Sequence, residues 1–205
     1  LSSAASDVYK RQHVNNLMYP WYAIAGNHDI SIDGPLTKDK FMATLAQAND
    51  NMNQKHIYYA FTPKKGFRVI CLDSIIDYKL TANGEISNEE FMWLKEELDE
   101  HPKDTIIVCT HVPIIEPYSS SNHKMLNEYE VRKLLKTHKN PLIVLQGHYH
   151  AVKIKQDDNM LVITSPSLVT YPNAFRVINI NSNKNRTLVA VSYTHLRAHE
   201  TCADL

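Results

Sequence analysis

The sequence predicts an α/β domain, on three observations. Short apolar runs recur along the chain and stop at polar turns. Stretches with helical spacing of apolar residues stand between them. Three of the runs also deliver histidine at their C-terminal ends. Tyr22-Ala23-Ile24-Ala25 stops at Gly26-Asn27-His28-Asp29, the run at 105–109 leads into Thr110-His111, and the run at 141–145 leads into Gln146-Gly147-His148-Tyr149-His150. In open α/β sheets, the C-terminal edge of the strands is where sites assemble.

The elements follow in chain order. Pro20 leads into a first strand at 22–25, and Asp33-Gly34-Pro35 signals a turn. Thr37 is placed to cap a helix with Phe41, Met42 and Leu45 on one face, which fails at Asn49-Asp50-Asn51. Strands are predicted at 56–61 and 68–72 around a hairpin loop, Pro63-Lys64-Lys65-Gly66. Asp73, closing the second run, is expected at the surface. Asn83-Gly84 predicts another turn. Ser87 with Glu90 three residues on is a capping-box pattern. It opens a helix with Phe91, Leu94 and Leu98 at helical spacing, ending before His101-Pro102. Asn127 with Glu130 predicts a cap for a helix through Val131, Leu134 and Leu135. From Pro141 onward the pattern is nearly all strand: 142–145, 151–154, 160–164, 175–180 and 186–190. There are no repeats, low-complexity segments or interior linkers, so the interior reads as one domain.

Composition excludes several classes of function. The 22 basic and 22 acidic residues cancel and form no basic block, so there is no nucleic-acid-binding signal. No apolar run is long enough to span a bilayer. Three cysteines are no disulfide framework. Cys71 and Cys109 lie inside strand runs and are expected to be small buried hydrophobes. That usage suits a reducing, cytoplasmic compartment without fixing one. Nothing in the sequence sets an oligomeric state.

The two ends read differently from the interior. The stretches at 7–12 and 191–195 can be back-translated as complementary strands of one DNA sequence, which protein termini have no physical reason to be. Both resemble translated sequencing-library adapters. Residues 1–12 and 191–205 are therefore expected to be adapter-like, and 13–190 to be a partial domain.

Imidazole nitrogen and amide or carboxylate oxygen are good ligands for borderline divalent metals. A turn at a strand end exposes such groups while the strand fixes them. His148 and His150, two apart, would diverge on an extended chain, but on a turn they can address two metals or one metal from two sides. The alternative for any one of them is an ordinary surface or capped-core histidine.

Taken in order, Gly26-Asn27-His28-Asp29, Thr110-His111-Val112-Pro113 and Gly147-His148-Tyr149-His150 resemble the last three signature blocks of the calcineurin-like metallophosphoesterases. Within that superfamily the chain is similar to compact phosphodiesterases of the class III cyclic-nucleotide type. Asn83-Gly84-Glu85-Ile86-Ser87 before the Trp93-Leu94 helix adds to the likeness, which covers nearly all of 20–180. The resemblance implies a four-layer α/β/β/α sandwich, here missing its N-terminal strands. It implies hydrolysis of a small-molecule phosphoester, most simply a phosphodiester, at a dinuclear centre of two divalent ions (Mn, Fe, Zn, Ni or Co) whose bound hydroxide attacks in line.

Carried over by residue, Asn27, His111 and His148 would bind the second metal and His150 the first. His28 would assist the leaving oxygen, with Asp29 orienting its imidazole. Tyr149 and His123 are the candidate substrate contacts. The family's Asp-x-His and Gly-Asp blocks supply the remaining first-metal ligands and the bridging carboxylate, and neither precedes Gly26 here. The chain by itself is therefore expected to be inactive and to bind at most one metal, weakly. The alternative is a non-catalytic binding or scaffold protein on the same fold with a decayed metal site.

Overall fold

A computed structural model describes residues 19–30, 36–171, 173–183 and 186–195. The elements are α1 (Lys38–Ala46), a 3-10 turn (Asp50–Met52), β1 (Tyr59–Lys64), β2 (Phe67–Cys71), α2 (Asn88–Glu100), β3 (Thr105–Thr110), α3 (Glu128–Leu135), β4 (Leu142–Gln146), β5 (Lys153–Asp157), β6 (Met160–Thr164), β7 (Ala174–Ser182) and β8 (Thr187–His195). The turn expected at Asp33-Gly34-Pro35 lies outside the described residues.

Six strands form one mixed sheet in the order β1-β2-β3-β4-β6-β5. The inner four are parallel, and β1 and β5 join antiparallel at the edges. Parallel strands covered on both faces need continuous apolar runs, and β3 is buried at five of its six positions. Register sorts the side chains into two faces. Arg68 on one face pairs with Glu97 of α2 through two hydrogen bonds, at 2.8 and 3.1 Å, which places α2 there. On the other face Thr105 meets Ser182 of β7, and the Arg176 guanidinium donates to the Thr164 carbonyl. The β7–β8 pair is thus a second sheet laid over the first, with Ile178, Ile180, Val189 and Val191 packed on the core. Helix, sheet and sheet stack as layers of the expected α/β sandwich. Among the described residues no helix is long and apolar enough to cross a membrane.

Several local expectations are corrected by tertiary partners. Among the described residues, the 22–25 run pairs with no strand. Instead the Tyr59 hydroxyl accepts from Ala23 N (3.1 Å) and donates to Ala23 O (2.8 Å), and Asn49 Nδ2 donates to Trp21 O (2.6 Å). One phenol does what a neighbouring strand would do. Removing it in Tyr59→Phe leaves both Ala23 groups unpartnered, which should cost about 1–3 kcal/mol. Urea denaturation reads this, and an unchanged midpoint would show that the phenol does not hold the run.

The β1–β2 hairpin turns tightly at Lys65-Gly66, with Gly66 at φ 87°, and Pro63 sits inside edge strand β1 where the register shifts. Asp73 is buried rather than at the surface, because Lys38 Nζ reaches it at 2.7 Å. Ser87 Oγ caps α2 as expected (3.2 Å), but Glu90 does not complete the capping box. Its Oε1 accepts the Asp73 N–H at 2.8 Å. Burial, reinforced by Asp73, pushes the Glu90 carboxyl up to about 9, so it is protonated at neutral pH. Asn127 makes no cap bond and instead holds both backbone groups of Ile86 (3.1 and 2.8 Å). Gly84 is no turn residue either, since it bridges Ile75 and Met125. Strand β8 continues through Val191–His195, with His195 opposite Ala174. A β-rich segment of any coding origin can extend such a ribbon.

Candidate metal centre

The three histidine turns converge. In the first, Gly26 O accepts from Asp29 N (2.9 Å) and Ile30 N (3.3 Å), and Gly26 N donates to Asp29 Oδ2 (2.9 Å). One carboxylate oxygen of Asp29 therefore closes the turn that presents Asn27 and His28. A Cβ on Gly26 would stand 2.9 Å from His111 Cε1, so only glycine lets the imidazole come this close.

The second turn is braced by polar residues that the sequence reading missed. Val112 N donates to Ser74 Oγ (3.0 Å), and Thr110 Oγ1 donates to Val112 O (3.0 Å). Gln146, at the end of β4, donates through Nε2 to Ile115 O (2.6 Å) and Thr164 Oγ1 (2.9 Å) and accepts from Ile115 N (3.4 Å). Gly147 N donates to His111 O (3.2 Å), tying the second turn to the third. A polar residue ending an otherwise apolar, buried strand was the one available signal for Gln146. Ser74 gave none.

In the third turn, His148 and His150 both adopt left-handed backbone, at φ 68° and 50°. Non-glycine residues seldom do, and such conformations cluster at functional sites. The left-handed turn brings His148 onto His111. His111 Nε2 lies 2.9 Å from Asn27 Oδ1 and 3.1 Å from His148 Nδ1. Burial, helped by the neighbouring imidazole, lowers His111 to about 4. For His148 burial comes first and His123 second, with the same result, about 4. Both rings are therefore neutral at neutral pH, the form that ligates metal.

These residues fit a divalent cation. At ligand distances of about 2.1 Å, two donors at a right angle about a metal stand about 3 Å apart, which is the spacing found. Without a cation the arrangement is poorly satisfied, since one ring nitrogen cannot aim a single N–H squarely at two partners. His148 Nε2 is also buried with no partner in hydrogen-bond geometry, although the Ala82 backbone lies close enough to act on it. Among the described residues no three His, Cys, Asp or Glu side chains gather as a metal group. The cluster is two imidazoles and an amide oxygen.

The other candidates surround it. His28 is exposed beside the cluster, and its charge, like that of His150, opposes protonation of both rings. His150 does not touch His111. Its Nδ1 faces Thr170 Oγ1 at 3.2 Å. The exposed His123 ring comes within 5.2 Å of the His148 ring and 6.1 Å of Tyr149, with Ser120 Oγ on its Nδ1 (3.1 Å). Tyr149 stands edge-on to His148 and its hydroxyl is buried. Burial, then Glu116, raises that phenol. Behind the cluster a cavity of about 330 Å³ runs over the second-sheet face of the large sheet, between Tyr22, Ile24, Phe61, Cys71, Leu145 and His111.

Comparison with known proteins bears on the family and the fold. A family model described as Calcineurin-like phosphoesterase matches residues 3–152. A probable cyclic nucleotide phosphodiesterase of Psychrobacter arcticus is 24% identical over 152 residues, covering 72% of this chain and 52% of that protein. A probable glycerophosphodiester phosphodiesterase of Arcobacter nitrofigilis is 24% identical over 170 residues, covering 80% and 59%. The chain thus spans about half the length of these curated relatives. The crystal structure of a dimetal phosphatase from Danio rerio superposes with a TM-score of 0.65 at 16% identity, over 93% of this chain and 77% of that one, which shows a shared fold. The chain belongs to the calcineurin-like phosphoesterase family.

Proposed function

We propose that the protein is a metal-dependent phosphodiesterase acting on a small-molecule phosphodiester, and that Asn27, His111 and His148 hold one of two divalent ions while His150 serves the other. The meeting of His111 Nε2 with Asn27 Oδ1 and His148 Nδ1 carries this reading. Bound metal supplies Lewis-acid polarisation of the phosphoryl oxygens and acidifies water.

The chain's own residues do the rest. His28, exposed beside the cluster, donates a proton to the departing ester oxygen. Asp29 holds the turn that aims it. His123 and Tyr149 flank His148 and contact the substituent on the phosphate. No Asp-x-His or Gly-Asp block precedes Gly26, so residues 1–205 alone bind one metal, weakly, and do not turn over.

The test separates catalysis from ligation. In a protein that also carries the upstream blocks, His28→Ala should lower the rate on a nitrophenyl phosphodiester by more than about 100-fold while leaving metal content unchanged. Loss of metal in that variant would make His28 a ligand. Unchanged turnover would remove it from the chemistry. A scaffold with a decayed site would show no metal-dependent turnover at all.

A further inference from the structure

We infer that Thr170, itself fixed by Ser167, is a positioning residue that sets the tautomer of His150 and presents its Nε2 as a free lone pair. After β6 the chain folds back on itself. Ala174 N donates to Ser167 O (3.0 Å), Asn173 N donates to Thr170 O (2.7 Å), and Asn173 Nδ2 donates to Leu168 O (3.2 Å), with Asn173 in left-handed backbone at φ 46°. Inside this loop Ser167 Oγ accepts from Val169 N and Thr170 N, both at 3.2 Å. A short loop with this many internal bonds holds its side chains in place.

The hydroxyl of Thr170 is the informative group. It donates to Ser167 Oγ at 2.9 Å. A hydroxyl has one proton and two lone pairs, so with that proton committed Thr170 Oγ1 can only accept from its other neighbour. That neighbour is His150 Nδ1, at 3.2 Å. With Thr170 donating to Ser167, Nδ1 carries the hydrogen, and in the neutral ring Nε2 is left bare. Neutral histidine free in water favours the opposite tautomer, so the loop works against the intrinsic preference. Metal-binding imidazoles characteristically give their second N–H to an oxygen that fixes ring and tautomer. Here Ser167 fixes Thr170 and Thr170 fixes His150, whose left-handed backbone (φ 50°) brings it to the loop.

What Nε2 then receives rests on the metal reading above, but the tautomer does not, and the two are measured separately. The experiment is long-range ¹⁵N–¹H correlation on the histidine-labelled, metal-free chain, about two units above the usual imidazole pKa. His150→Gln identifies the resonance. Wild type should show His150 protonated on Nδ1. Thr170→Val should shift it to mainly Nε2–H, and Thr170→Ser should restore it. Ser167→Ala, which frees the Thr170 proton to donate, should shift it the same way. The other histidine resonances should stay in place, as a folding control. Nε2–H in wild type, or an unmoved tautomer in Thr170→Val, overturns the inference. Manganese should then broaden the His111 and His148 resonances. If it does not, the metal reading fails whatever the His150 tautomer shows.

Discussion

Replacing His111 with alanine is expected to abolish the stabilisation that divalent metal gives this protein. The variant removes the one ring nitrogen that lies within 2.9 Å of Asn27 Oδ1 and 3.1 Å of His148 Nδ1. What remains is one amide oxygen and one imidazole, whose separation nothing fixes. Loss of a mere orienting partner costs about 10–100-fold in metal affinity, so loss of this ligand should exceed about 100-fold. The reading is thermodynamic. Manganese at 100 times its wild-type dissociation constant stabilises by about 2.7 kcal/mol, and a 100-fold weaker site at the same concentration gains only about 0.4 kcal/mol. Urea denaturation with and without manganese separates those values. An undiminished metal shift in the variant would place the ion elsewhere.

The same substitution has a signature without metal. His111 titrates at about 4 in the folded chain against an ordinary 6.5, chiefly because it is buried. Between those values the unfolded state binds a proton that the folded state refuses, so stability falls as pH drops from about 6.5 through about 4 and is level above. His148 adds to the same slope. Alanine at 111 removes one of the two contributions, and the metal-free variant should lose less stability over that window. An unchanged slope would mean that His111 is not held neutral by its surroundings.

How much of this was legible in the sequence follows from what kind of force placed each residue. The large sheet was readable because buried parallel strands must be apolar throughout, and the runs at 105–109 and 141–145 have no other use. The histidine turns were readable because polar clusters ending such runs are costly unless used. The 22–25 run looked the same, yet among the described residues it pairs with no strand and borrows a phenol from 36 residues away. Glu90 and Asn127 obey local capping grammar in sequence, but the fold spends them on Asp73 N and on Ile86. Those partners come from distant segments, and no spacing rule reaches them. Ser74 and Thr170 were invisible for a related reason. A single polar side chain has no period, and its partner is set by packing. At the site itself, bringing together Asn27, His111 and His148 needed two neighbouring strand ends, those of β3 and β4, and the 22–25 run held beside them by Tyr59. Separating His150 from them needed the loop at 167–173.

Among the described glycines, Gly84 is the one at which an added methyl group would meet the closest contact. Its sequence context, Asn83-Gly84, suggests a turn in which glycine supplies conformational freedom, and that explanation does not apply. Gly84 lies in a bridge between Ile75 and Met125, its N–H donating to Lys124 O at 3.0 Å and its carbonyl accepting from Leu126 N at 2.7 Å. What the position requires is space. A Cβ there would sit 2.5 Å from the Ser74 carbonyl oxygen and 2.7 Å from Val112 Cβ. The first of those atoms is backbone and cannot swing aside. Ser74 and Val112 are joined by the hydrogen bond that braces the His111 turn, so the methyl group would push on the residue next to a proposed ligand. Gly84→Ala should therefore destabilise by about 1–3 kcal/mol and also weaken manganese binding, though no metal contact is touched. Urea midpoints and manganese titration measure the two effects. Destabilisation with unchanged metal affinity would mean that the clash relaxes away from His111, toward Met125. An unchanged midpoint would mean that Ser74 and Val112 are not held as closely against Gly84 as they stand.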